Sequence, residues 1–163
     1  MQQIHLTTVI HASQEVVFDL SRSINLHKIS TAHTNEEAIA GTITGLIALN
    51  ETVTWKAKHL FRDRTMTVKI TQMKPFEFFE DTMQAGDFKS FRHEHHFKQI
   101  DNGTIMIDLL EFESPYGKLG EWTDRFFLQQ YLQKLLIKRN HTIKQFAESG
   151  QWKNLPGMLP LLA

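Results

Sequence analysis

The segment from Phe91 to Phe112 constrains the fold of this chain most strongly. It contains the run Phe-Arg-His-Glu-His-His-Phe, an Asp-Asn-Gly-Thr turn sequence and an apolar stretch that begins at Ile105. Two β-prone runs separated by a turn with glycine predict a β-hairpin. Because side chains two residues apart on a strand project to the same face, this hairpin directs aromatic and imidazole groups to one side of a sheet. A face with several titratable groups is typical of a ligand cavity rather than of plain core.

The length of the hairpin loop decides which side chains face one another. A two-residue Asn-Gly loop would place His93 opposite Phe112. A three-residue Asp-Asn-Gly loop, with a left-handed glycine at a bulge, would place His93 opposite Glu111. The second register also pairs His96 with Asp108 and avoids opposing two glutamates, so it is the predicted one.

The rest of the pattern predicts an α+β protein. A first strand over residues 3–11 leads into a short helix that Ser13 would cap, and a second short helix is predicted within residues 21–34. Strands follow over residues 37–113, joined by short connections that favour antiparallel pairing. A helical pattern then runs over residues 121–148 and stops at Ser-Gly.

Two side-chain patterns indicate which groups face the interior. Alternation places Trp55, His59 and Phe61 on one face of their strand. In the long helix, Arg139 falls in the middle of the apolar stripe and not at its rim. A guanidinium in that position requires a partner or an opening to water.

The chain is predicted to form one ligand-binding domain over residues 1–150, followed by an apolar tail over residues 151–163. Proline and glycine interrupt the tail, which is too short to span a bilayer. Its apolar residues are expected to cover either this protein's own surface or that of a partner. The oligomeric state stays open.

Composition excludes several classes of protein. Lysine plus arginine equals aspartate plus glutamate, at 18 each, so no positive field attracts nucleic acid or an anionic membrane. The absence of cysteine excludes disulfides, thiolate nucleophiles and cysteine-ligated zinc. The amino terminus lacks a secretion signal, and no integral membrane association is expected, so the predicted location is cytoplasmic.

Several short motifs accompany this order of elements. They are the segments 81–88, 92–97 and 115–120, the dipeptides Gly103-Thr104 and Arg139-Asn140, and Asp108. With them, nearly the whole chain resembles the helix-grip fold of the START and Bet v 1-like superfamily, and in particular the SRPBCC proteins of the polyketide cyclase/dehydrase and lipid-transport group. The resemblance implies a curved antiparallel sheet wrapped around a long carboxy-terminal helix, with a mostly apolar cavity between them. Members include carriers, receptors and some cyclases, so the fold alone does not assign a function.

The histidines of the hairpin allow three interpretations. His93 and His95 could ligate a metal with His59 or Glu111 as a third ligand. Alternatively, His93 paired with Glu111 could act as an acid and base. The favoured interpretation is a hydrogen-bonded polar cluster, so neither a metal nor a cofactor is predicted.

Arg139 has two interpretations of its own. It could anchor a ligand carboxylate or phosphate through bidentate hydrogen bonds. It could instead pair with a strand carboxylate such as Glu111 or Glu113. The structural pairing is favoured, because an unpaired guanidinium in an apolar cavity is costly.

The sequence therefore predicts a carrier or sensor that binds a hydrophobic or amphiphilic small molecule, lipid-like or polyketide-like, between sheet and helix. One alternative is a cyclase/dehydrase-like enzyme that uses His93 and Glu111. The other is a protein-interaction module that docks through its tail. The predicted ligand-binding residues are Trp55, His59, His93, His95, Tyr131, Leu135 and Arg139.

Overall fold

The computed structural model describes residues 1–59, 62–114 and 123–158, and for His59 and residues 123–125 it describes the backbone alone. In these ranges the chain forms seven strands and three α-helices. They are β1 (Gln2–Ile10), α1 (Gln14–Ser21), α2 (Ile24–Ser30), β2 (Glu37–Gly41), β3 (Thr52–His59), β4 (Arg62–Lys74), β5 (Phe78–Ala85), β6 (Ser90–Ile100), β7 (Gly103–Glu113) and α3 (Thr123–Ser149), with single 3-10 turns at Ala32–Thr34 and Gln151–Asn154.

The strands form one antiparallel sheet in the order β1-β7-β6-β5-β4-β3-β2. Irregularities in the β2–β3 and β4–β5 pairings interrupt the ladder. Such bulges increase the local twist and bend a sheet. The curved sheet, the two short helices after β1 and the long last helix confirm the predicted α+β helix-grip architecture.

The main core lies between α1, α2 and the sheet. Phe18 of α1 is almost fully buried and contacts Phe79 and Phe97 edge to face, at ring-centroid distances of 5.6 and 5.3 Å. Ser13 occupies the predicted cap position of α1, but its side chain makes no cap hydrogen bond. The hydroxyl of Ser23 instead caps α2, where it accepts a hydrogen bond from the Leu26 amide at 3.2 Å.

The predicted stripe of α3 faces the interior. Leu136, Ile143 and Ala147 are buried, and so is Arg139 between them, whereas Ile137 is exposed. The helix ends where the sequence predicted, while the first two residues of the predicted helix lie outside the described ranges. Within those ranges, no helix combines the length and apolarity needed to cross a membrane.

The β6–β7 hairpin differs from both registers considered from the sequence. Ile100 pairs with Gly103, so the loop is Asp101-Asn102. His93 consequently lies opposite Leu110 and not opposite Glu111 or Phe112, and Asp108 lies opposite His95 instead of His96. The predicted three-residue loop is therefore wrong by one position.

A contact with a distant strand explains why the glycine belongs to β7. Gly103 has φ +155°, and a Cβ there would lie 2.2 Å from the carbonyl oxygen of Ile10 and 3.0 Å from Cα of His11. No side chain fits that space. Glycine at position 103 thus allows the end of β1 to approach β7 closely. The loop of the hairpin, Asp101-Asn102, does not include it.

The described part of the carboxy-terminal segment packs on this protein's own core. Met158 is buried in the main cluster, and Trp152 and Leu155 pack against it. Residues 159–163 lie outside the described ranges. The division into a domain and a tail, and contact of the tail with a partner, stay predictions.

Candidate functional site

A cavity of about 570 Å³ lies between the curved sheet and α3. Its wall is formed by alternate side chains of the strands, by the end of α1 and the start of α2, and by the stripe of α3. Most of these side chains are apolar. They include Ile24, Ile47, Val53, Trp55, Ala57, Met66, Val68, Ile70, Phe79, Phe91, Leu110, Leu128, Leu132, Leu135 and Leu136.

The cavity brings together most of the predicted binding residues. The wall includes Trp55, His93, His95, Tyr131, Leu135 and Arg139, and the side chain of His59 is outside what the structure describes. Contact of these residues with a ligand stays a prediction.

Asp108 lies behind the polar end of this cavity and contacts side chains that form its wall. Its side chain is completely buried on β7, within hydrogen-bond distance of His93 Nε2, which lies 3.0 Å from Oδ1. Asn140 of α3 donates to Oδ2 at 2.6 Å, and Arg139 donates to Oδ1 at 3.4 Å. A buried carboxylate needs such partners, because its desolvation is otherwise prohibitive.

His95 lies between two carboxylates. Its Nε2 is 3.0 Å from Oδ2 of Asp81, and its Nδ1 is 3.1 Å from Oδ1 of Asp108. The contact between Nδ1 and Asp108 does not have the geometry of a hydrogen bond, so it is electrostatic. The ring stacks on Phe79 at a centroid distance of 4.1 Å and contacts the ring of His93 at 3.8 Å. These contacts fix both imidazoles at the end of the cavity.

Arg139 is held by the protein itself. It donates to the Ser21 carbonyl oxygen at 2.8 Å, in addition to Asp108. The predicted kind of pairing is therefore present, but the predicted partners are wrong. Glu111 pairs with Arg92 and Glu113 with Lys89, because the observed register places Asp108 on the inner face.

The electrostatics of the cluster favour ionised carboxylates and a neutral His93. Burial alone would raise the pKa of Asp81 and of Asp108. The hydrogen bonds from the two histidines, and the positive charges that imidazoles carry in the acid range where carboxyl groups titrate, outweigh it. The pKa of Asp81 is therefore lowered, and that of Asp108 lies well below its usual range. For His93, burial and the neighbouring His95 lower the pKa against the opposing effect of Asp108. At neutral pH His93 is therefore an imidazole that can accept a proton.

The predicted His93–Glu111 pair does not exist. Glu111 lies on the opposite face of the sheet, 3.2 Å from a guanidinium nitrogen of Arg92. Arg92 also bonds Glu80, at 2.6 Å, and Glu94. The carboxylate that could orient His93 is Asp108.

The observed β6–β7 register also gives a different set of possible cation ligands from the one predicted from the sequence. Ligand atoms of Asp81, His93 and His95 lie within 4.8 Å of one another. Two imidazoles and one carboxylate suit zinc or iron. Glu111, a predicted third ligand, lies on the wrong face. His95 Nε2 already bonds Asp81, so a bound cation would replace that hydrogen bond.

The sequence interpretation gave no role in the site to three residues of this cluster, although its motifs contain them: Asp81, Asp108 and Asn140. Asp108 carried a usable signal, since it is the charged member of the alternate series Thr104, Met106, Leu110 and Phe112, whose members are all buried. An acid at an inward position of an apolar strand indicates a buried polar site. Asp81 depends on the pairing of β5 with β6, which local sequence does not reveal.

Comparison with known proteins supports the architecture. A scan against protein-family models finds no match, and a search of curated proteins finds none. Solved structures do match. The protein TTHA0849 from Thermus thermophilus is 14% identical with a TM-score of 0.74, over 91% of this chain and 99% of that one.

Two further matches have descriptive names. The Zhui aromatase/cyclase from Streptomyces sp. R1128 is 12% identical with a TM-score of 0.72, over 90% of this chain and 93% of that one. A START superfamily protein from Mycobacterium smegmatis is 10% identical with a TM-score of 0.68, over 90% and 97%. The chain therefore has the same fold as these proteins, the helix-grip fold. At the level of the fold, the resemblance to SRPBCC proteins is confirmed.

Proposed function

We propose that this protein binds a hydrophobic or amphiphilic small molecule in the cavity between sheet and α3, as a carrier or sensor. The observation that carries the proposal is the cavity itself, about 570 Å³ with a mostly apolar wall and a few convergent polar groups. Sites for small organic ligands typically measure about 300–1,000 Å³ and have this composition.

The distribution of polarity supports an amphiphile in particular. One end of the cavity contains the polar side chains of Asp81, His93, His95 and Arg139. The side chains that β3 contributes to the wall, Val53, Trp55 and Ala57, are apolar. Apolar surface supplies most of the binding free energy, and fixed polar groups set the orientation. A ligand with one polar end and an apolar body matches both parts.

Filling the cavity tests this proposal. Leu135 lines the cavity, so Leu135→Trp should occupy the space of a ligand and weaken binding of the neutral dye Nile red by about tenfold or more. Ile137 is 51% exposed on the same helix, and Ile137→Trp is the matched control. Fluorescence titration gives the affinities, and circular dichroism verifies the fold of each variant. Absence of dye binding to the wild type, or equal binding to both variants, would contradict the proposal.

A second candidate function, acid–base catalysis of the cyclase type, is favoured by one observation. The buried Asp108 lies 3.0 Å from His93, which is the arrangement that orients an imidazole as a general base. The lowered pKa of His93 keeps it unprotonated at neutral pH. In this version Asp108 takes the role that the sequence prediction gave to Glu111.

The two functions separate on one variant. With a panel of polyketide-like β-keto thioesters, His93→Gln should abolish turnover if the protein is an enzyme of this kind, while Nile red binding stays near the wild-type value. Turnover that survives the substitution would remove His93 from the mechanism. Absence of turnover by the wild type across the panel would leave the binding function as the better account.

A further inference from the structure

We propose that the cavity selects ligands whose polar end donates a hydrogen bond, as an alcohol or an ammonium does, and rejects a carboxylate or another anion at that end. This inference rests on the proposed binding function and specifies the chemistry of its ligand. It depends on which polar atoms at the end of the cavity are already engaged and which are left to a ligand.

The guanidinium at this end of the cavity is engaged. Arg139 donates to the Ser21 carbonyl oxygen at 2.8 Å and to Asp108 at 3.4 Å, and it lies 3.5 Å from the side-chain oxygen of Asn140. A ligand carboxylate would have to share a guanidinium that already compensates a fully buried aspartate, and drawing it towards the ligand would weaken that compensation. Breaking a buried pair is strongly unfavourable.

The other arginines of the described wall are paired as well. Arg22 forms an ion pair with Asp19 at 2.8 Å and donates to the Ile47 carbonyl oxygen at 3.1 Å. Arg64 forms an ion pair with Asp87. An incoming anion would therefore compete with a carboxylate of the protein at each of them.

The atoms left to a ligand include acceptors. Asp81 uses Oδ2 for His95, and in the described structure its Oδ1 has no hydrogen bond. Its side chain is 15% exposed, compared with 2% for His95 and 0% for Asp108, and it lies on the cavity wall. His93 bonds Asp108 through Nε2, which leaves Nδ1 as its second nitrogen. A carboxylate accepts hydrogen bonds only, as does the free nitrogen of a neutral imidazole.

The charge balance leads to the same conclusion. Asp81 and Asp108 contribute two negative charges, and Arg139 contributes one positive charge. The cluster is therefore negative by one charge with neutral imidazoles, and neutral when one histidine is protonated. An anionic end group would meet no net positive charge there, while its own desolvation is costly. A hydroxyl or an ammonium supplies the missing proton donor to Asp81.

A matched series of ten-carbon amphiphiles tests this inference. Displacement of Nile red from the full-length protein would be measured with 1-decanol, decylammonium and decanoate at neutral pH, below their aggregation concentrations. We expect 1-decanol or decylammonium to displace the dye at a concentration about tenfold lower than decanoate, as one hydrogen bond to a charged group warrants. The difference between the two donors shows whether hydroxyl or ammonium is preferred.

Two variants assign the selectivity to its source. Asp81→Asn adds an N–H donor and removes the charge, so the difference between 1-decanol and decanoate should shrink to about threefold or less. Glu111→Gln makes the same change on the opposite face and should keep the wild-type difference.

The outcomes separate the inference from the proposed function. If Nile red does not bind the wild type, the proposed function fails. If Nile red binds but decanoate displaces it as well as 1-decanol does, or none of the three displaces it, the inference alone is overturned. The wild-type series decides this point even if Asp81→Asn does not fold.

Discussion

Both faces of the β6–β7 hairpin carry basic and acidic side chains, but those of the inner face are buried and those of the outer face are partly exposed to solvent. On the inner face, His93 and His95 surround Asp108, which is wholly buried. On the outer face, Arg92 bridges carboxylates that include Glu111, and its own side chain is 43% exposed. Neighbouring residues in one strand thus belong to two different electrostatic environments.

The two faces differ in the desolvation free energy of their charges and in the access that a ligand has to them. Water screens Arg92 at the centre of the outer network, although Glu80, one of its partners, is only 5% exposed. Exposed ion pairs contribute little to stability. The inner cluster must be desolvated, and apolar residues of similar volume would fill the same space at a lower cost. Buried titratable clusters beside a cavity are typical of sites for recognition or chemistry. The contrast therefore supports the proposal that ligands bind at the inner face.

The largest test of this contrast removes one carboxylate from each face. Asp108→Ala leaves Arg139 and Asn140 without their buried partner, so we expect the free energy of unfolding to fall by about 3–5 kcal/mol. Glu111→Ala on the outer face should cost about 0–1 kcal/mol. Urea unfolding followed by circular dichroism measures both. Similar losses for the two variants would show that burial does not separate the faces.

A second test disturbs the register that assigns residues to the faces. A methyl group at Gly103 would meet the Ile10 carbonyl oxygen at 2.2 Å, so Gly103→Ala must move β1 or the hairpin. We expect a loss of about 1–3 kcal/mol, which is the usual cost of a strained backbone position. Asn102→Ala, in the adjacent loop, is the control and should cost less. A Gly103→Ala protein as stable as the wild type would refute the steric account of the register.

The pH dependence of stability offers a third, smaller test. Burial lowers the pKa of His93 below the value of about 6.5 in the unfolded chain, so its neutral form favours the folded state. Its contribution is complete above about pH 6.5 and is lost as the pH falls towards the folded-state pKa. The pKa values of Asp81 and Asp108 are also lowered, so their contribution is complete above about pH 4 and is lost in more acid solution.

Urea unfolding between about pH 7.5 and pH 5 separates His93 from the two aspartates. The pKa of His33 is also lowered by burial, and its contribution is the same in every variant compared. The wild type should lose stability over this interval, and His93→Gln should flatten the curve. His96→Gln, at a half-exposed position on the outer face of the same strand, is the matched control and should retain the slope. A steeper curve for His93→Gln than for the wild type would reverse the assigned sign.

The smallest expected effect is that of salt on the outer network. Arg92 is 43% exposed, and its buried partner Glu80 keeps the hydrogen bonds from Thr71 and Gln72. Arg92→Gln should therefore cost about 0–1 kcal/mol at low ionic strength, and less when about 1 M salt shortens the Debye length to about 3 Å. Asp108→Asn should show no comparable salt dependence, because its partners are buried. Unfolding titrations at two salt concentrations measure both. If the free energy of unfolding lost in Arg92→Gln did not depend on salt, the outer network would behave as a buried ion pair, and the contrast between the faces would fail.

Much of the fold was predictable because it depends on local periodicity. Alternation in β3 correctly placed Trp55 on the inner face, and the stripe of α3 correctly placed Leu135 and Arg139 there. His93 and His95 reach the same face because any register keeps residues i and i+2 together. These predictions required only the period of each element.

The partners of those side chains were not predictable from local sequence. The loop has two residues because Gly103 belongs to β7, where it packs against the backbone of Ile10. The sequence of the hairpin contains no signal of this contact with β1. One position of error in the register exchanged Asp108 for Glu111 as the partner of His93. A shift of one residue moves a side chain to the other face, so the error changed the predicted chemistry but not the predicted fold.

The two-residue loop of the hairpin also has a consequence for the order of folding. His93 and Asp108 are 15 positions apart, and a hairpin closes within about 1–10 μs, while Arg139 is 31 positions from Asp108 and arrives only with α3. We expect the carboxylate and the imidazoles to meet first in water, where their charges are inexpensive. Docking of the helix then expels the solvent and delivers the guanidinium in a single late step. The electrostatic cost of the site would thus fall on the late stages of folding, and substitutions at Asp108 should speed unfolding more than they slow folding.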